Sequence, residues 1–198
     1  MLAADHSPRR KRRYLVARAG TTSVEFALLS LIFFTFVLGI MEVARLLFVY
    51  NTLQEVTRRA AETAVNVYPT DTTAIDKLKQ QAIFRNSPGA LVLAAPVTDQ
   101  NIRIDYLAYD LSVIAQSAWP SNAAANRMTC SANPHASNCI RFVRVQVCDS
   151  GQADACTPVT TRTFIPLVPL SVRYHRATTI ATAETLGYVQ GTSPCPCP

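Results

Sequence analysis

The sequence predicts an α+β protein: a long N-terminal transmembrane and amphipathic helix, then a small mixed head of one helix and antiparallel sheet with disulfides. Three observations carry that reading. Sixteen uncharged residues run from Phe26 to Met41 behind a block of basic ones. A helical apolar pattern then continues to Val67, with no Gly or Pro between residues 40 and 68. Beyond it the pattern turns to period-two alternation, and all six cysteines lie at or after residue 130.

At 198 residues the chain has room for one ordinary domain and an anchor. Its formal charge of +6 is unevenly placed. Residues 1–20 hold six Arg and Lys against Asp5 alone, whereas the remainder carries thirteen basic and twelve acidic side chains. The basic character therefore belongs to a leader and does not mark a nucleic-acid surface. A basic cluster just ahead of an apolar run follows the positive-inside rule, which puts residues 1–20 on the cytoplasmic side, without regular structure. A secretory signal would place a small-residue cleavage site after the apolar run. Here Gly39-Ile40-Met41-Glu42-Val43-Ala44-Arg45 follows and the helical pattern continues.

At about 1.5 Å per residue, Phe26–Met41 falls short of the ~30 Å hydrocarbon core, so the span is expected over about residues 26–50. Glu42 and Arg45 share a helical face at i and i+3, either as a snorkelling pair or as contacts to other subunits. Residues 51–67 form an amphipathic extension, with Leu53, Val56, Ala60, Ala64 and Val67 on its apolar stripe. One helix is expected from about Val24 to Val67, roughly 65 Å long at that rise. Tyr68-Pro69 ends it, because proline disfavours helix at the residue before it.

A head is expected over 68–190. Its helix starts at a Thr70/Asp71 cap and runs from about Thr73 to Arg85, stopped by Asn86-Ser87-Pro88-Gly89. Strands are predicted at Asn101–Leu107, Ile140–Cys148, Val159–Phe164, Ser171–His175 and Ala177–Glu184. Residues 110–138 read as a long loop. The prolines of Ile165-Pro166-Leu167-Val168-Pro169-Leu170 exclude a central strand there, and this segment is expected to wrap the head or pack on the helix. Residues 191–198 read as a flexible Cys/Pro tail.

The simplest pairing of the cysteines closes two local loops, Cys130–Cys139 and Cys148–Cys156, as an oxidising compartment would allow. Cys195 and Cys197, at a spacing strained for a mutual bridge, are left free or for a partner molecule. No catalytic set, metal-ligand template or phosphate-binding loop stands out, and His6, His135 and His175 are scattered. The chain is therefore expected to be neither an enzyme nor a cofactor protein.

The basic leader, Gly20, Thr21-Thr22-Ser23-Val24, Glu25-Phe26 and the apolar helix resemble the prepilin peptidase site of type IV pilin-like proteins. With Val24-Glu25-Phe26-Ala27-Leu28 at its start and Gly39-Ile40-Met41-Glu42-Val43-Ala44-Arg45-Leu46 at its end, the segment is most similar to the TadE-like pseudopilins of Tad (Flp) pilus systems. The resemblance covers about residues 19–65. It implies a minor pilin or pseudopilin acting in pilus assembly, cut between Gly20 and Thr21 so that Glu25 becomes the fifth mature residue. The implied partners are a prepilin peptidase, other pilin or pseudopilin subunits, the Tad secretion machinery and the lipid bilayer. The implied location is the bacterial inner membrane, single-pass, with the N-terminus cytoplasmic and the head periplasmic or extracellular. The alternative is an unprocessed single-span envelope protein with a binding head.

Overall fold

The computed structural model describes residues 10–151, 155–163 and 171–191. Cys195, Cys197 and the proline-interrupted run 165–170 lie outside the described residues. The described chain divides between Ala44 and Arg45 into two compact units.

Helix α1 spans Arg10–Ala64. It starts well ahead of the expected Val24, because residues 10–19 are Arg, Lys, Leu, Ala and Val with one Tyr, mostly good helix formers, and contain no proline. It ends three residues before the expected Val67. There the backbone tightens, with Asn66 N–H donating to Thr63 O and Val67 N–H to Ala64 O, both i→i+3 bonds. The first unit's described part is this helix alone.

The second unit begins at Arg45 and takes the end of α1 as its central element. Val49, Leu53, Val56, Ala60 and Ala64 are buried at three- and four-residue steps, as the apolar stripe requires. Each large one contributes about 1.5–3 kcal/mol of burial. Glu55–Arg59 and Arg58–Glu62 pair at i, i+4 on the exposed face. The hydrogen bond from Arg59 holds the Glu55 carboxyl below its ordinary range. Helix α2, Thr72–Ala82, is capped by the Asp71 side chain, which accepts from Ala74 N–H at 3.0 Å. It buries Leu78 and Ala82.

Seven short strands follow among the described residues, all paired antiparallel. β1 (Ala90–Leu91) and β2 (Ala94–Thr98) form a hairpin. β3 (Ile102–Leu107), β4 (Phe142–Val147) and β7 (Thr178–Thr182) form the main sheet in the order β3-β4-β7. β5 (Thr160–Arg162) pairs with β6 (Ser171–Arg173). On the main sheet's inner face Ile102, Ile104 and Tyr106 stand opposite Val147, Val145 and Val143. These three valines are fully buried in the same core as the α1 stripe. Thr57 of α1, also fully buried, meets Thr179 of β7 hydroxyl to hydroxyl at 2.9 Å.

The other face is polar. Asp105 accepts from Arg103 Nε at 2.9 Å and from Arg144 Nη2 on the neighbouring strand at 2.8 Å. Gln146 donates to Thr178 Oγ1 at 3.1 Å. β3 is an edge strand. The Tyr106 carbonyl accepts from Ile114 N–H, and the rest of the outer edge borders a cavity of about 410 Å³ whose lining includes Lys79, Trp119 and Asp149.

Among the described residues, two strands and one α-helix were not expected. β1 and β2 lie in a stretch that alternates poorly and contains Pro96. Helix α3, Ala123–Ala132, occupies part of the region read as a loop. The Asn122 side chain caps it by accepting from Ala125 N–H at 2.8 Å. α3 carries Cys130, bonded to Cys139 with Cα atoms 5.1 Å apart, and Cys148 is bonded to Cys156 at 4.9 Å. Strands β3 to β7 fall inside the expected segments, each shorter by one or more residues at its ends.

Candidate processing site and membrane anchor

Gly20, Thr21, Glu25 and Phe26 all lie on α1 and are exposed, Phe26 by 74%. A Cβ added at Gly20 would meet nothing within 4 Å. The fold therefore does not require glycine there, and in a helix interior glycine costs about 1 kcal/mol relative to alanine.

Past Glu25 the helix has no polar side. Leu28, Leu29, Leu31, Ile32, Phe33, Phe34 and Phe36 are all exposed, and at 100° per residue they cover every direction around the axis. A helix apolar all round suits a core or a lipid environment, and in this unit protein covers none of it. Thr35, the one hydroxyl in this stretch past Ser30, donates to the Leu31 carbonyl at 2.7 Å and so places no unbonded donor against hydrocarbon. By length and composition α1 can cross a membrane.

Glu42 and Arg45 were expected near the outer end of the span. Arg45 opens the head, donating from Nη1 to Leu93 O at 3.0 Å and from Nη2 to Arg162 O at 3.4 Å. Its guanidinium thus links α1 to the β1–β2 turn and to β5. Those acceptors lie 48 and 117 residues away, and backbone carbonyls carry no residue-type signal by which the sequence could show them. Deeper in the head, burial pushes the Tyr106 hydroxyl far above its ordinary range.

Residues 20–62 match the model of the family described as TadE-like protein. This segment is similar to TadE-like proteins. The match begins at Gly20 and covers the apolar span, Glu42, Arg45 and most of the buried stripe that enters the head. The TadE-like segment and its apolar helix together fit a membrane protein associated with the Tad pilus. No curated protein and no solved structure matches the chain.

Proposed function

We propose that this chain is a minor pilin or pseudopilin of a Tad pilus system, processed between Gly20 and Thr21 and acting in assembly as a structural subunit rather than an enzyme. The observation that carries the reading is the placement of an exposed Gly20-Thr21 bond five residues ahead of a helix apolar on every side. A prepilin peptidase on the cytoplasmic side would reach that bond and remove the basic leader. The mature amine at Thr21 would then sit within about one helical turn of Glu25. A carboxylate at the membrane boundary is costly unless paired, and that amine, in this chain or a neighbouring subunit, supplies the partner. Other pilin-like helices would pack along the exposed apolar face, with the disulfide-bonded head on the periplasmic or outer side.

The N-terminal residue of protein recovered from membranes tests this directly. A chain starting at Thr21, and loss of that product in Gly20→Val, is the expected result. Because Gly20 stands in open space, Gly20→Val should leave the head's denaturation midpoint unchanged. An intact leader in cells with active prepilin peptidase would favour the unprocessed single-span alternative.

A further inference from the structure

We propose that the β1–β2 turn is a second membrane contact: Val92 and Leu93 sit in the lipid surface beside the point where α1 leaves the bilayer. The proposal rests on the reading of α1 as a membrane span.

The turn itself is the first observation. Leu91 pairs with Ala94, so Val92 and Leu93 are the two residues of the loop. Two-residue hairpin loops favour Asn-Gly, Asp-Gly or Gly-containing pairs, because they require left-handed backbone and face water. Here Leu93 takes the left-handed conformation at φ 61°, which is strained for a bulky side chain. Both residues are apolar and exposed, Val92 by 64% and Leu93 by 57%. Lipid over the tip leaves the backbone strain as it is, but it accounts for two bulky apolar side chains where a turn facing water would take glycine or asparagine.

The second observation fixes its level. A hydrocarbon core of ~30 Å takes about 20 residues of helix, which counted from Phe26 ends at Arg45. Arg45 is also the side chain hydrogen-bonded to the Leu93 carbonyl at 3.0 Å. The turn is therefore held at the boundary between acyl chains and headgroups, where an arginine can meet phosphate and short apolar side chains can reach down. Leu47 and Phe48, two and three residues farther along α1, are likewise exposed and extend the same apolar collar. The rest of the head leads away from this level. Tyr174 packs near Tyr50, Thr179 against Thr57, and Glu184 N–H donates to Val65 O. Arg45 to Val65 is about 30 Å of helix by the same rise. Helix α3, next to Ala183 through Asn126, Ile140 and Arg141, belongs to the far end.

Depth-resolved fluorescence quenching tests the proposal on the full chain. Trp119→Phe removes the one native tryptophan. Single reporters are then placed by Val92→Trp, Leu93→Trp, Phe36→Trp and Met128→Trp, and each protein is reconstituted in phosphatidylcholine vesicles brominated at shallow or deep acyl positions. Phe36→Trp should be quenched most by deep bromines and exposed Met128→Trp by neither. Val92→Trp and Leu93→Trp should be quenched by shallow bromines and blue-shifted relative to Met128→Trp. If both turn reporters match Met128→Trp while Phe36→Trp is quenched, the proposal is overturned and the span stands. If Phe36→Trp is not quenched either, span and proposal fall together.

Discussion

Two carboxylates show how single residues divide the work. Glu25 is exposed at the head of the apolar helix and has no role in the fold's core. Glu25→Ala should therefore insert normally, as membrane fractionation would show, while pilus yield falls. Normal pilus formation by that variant would remove the pairing argument. Asp105 is the opposite case, buried and held by Arg103 and Arg144. Asp105→Ala should lower stability by about 1–3 kcal/mol in a denaturant titration, since the two arginines keep partial access to water and are not stranded. The exposed position of Gly20 and Glu25 ahead of the apolar run was legible, because that run itself fixes where the helix turns apolar. Asp105 was legible only as the polar side of an alternating strand. Its cross-strand partner depends on a register that pairs it with residue 144, which the alternation alone does not set.

At the scale of elements, the outer part of α1 decides whether the head folds. Leu53 is fully buried where helix meets sheet, so Leu53→Ala should cost about 2–5 kcal/mol, read as a shift in denaturation midpoint. Clean periodicity made α1, β3 and β4 legible, and Asp71 marked the start of α2. α3 was hidden by composition: Ser, Asn and Ala around Trp119-Pro120 read as loop, although Asn122 followed by three alanines is a cap and a helix start. β1 and β2 were hidden by Pro96, which does not disrupt an exposed position in a two-stranded hairpin. The start of α1 differed because the basic block was read for its charge, whereas its residue types also favour helix.

For the whole molecule, the two disulfides among the described residues brace the head. Each closes a short loop, with sequence separations of 9 and 8. Loop-closure entropy for such lengths gives about 2–3 kcal/mol apiece. Reduction, or Cys130→Ser with Cys139→Ser, should lower the head's unfolding midpoint while leaving α1 inserted. Calorimetry with and without reductant checks the first, and resistance to alkaline extraction checks the second. The open edge of β3 has a different consequence, for handling at high concentration. Unpaired strand edges template association with like edges, and short strands bearing charge resist it. β3 has six residues, and its part-exposed Arg103 would bring like charges together if another copy paired along it. Salt screens that guard. Concentrated stocks at high ionic strength are thus where edge-to-edge clumping would begin, and low salt is where the protein should keep best.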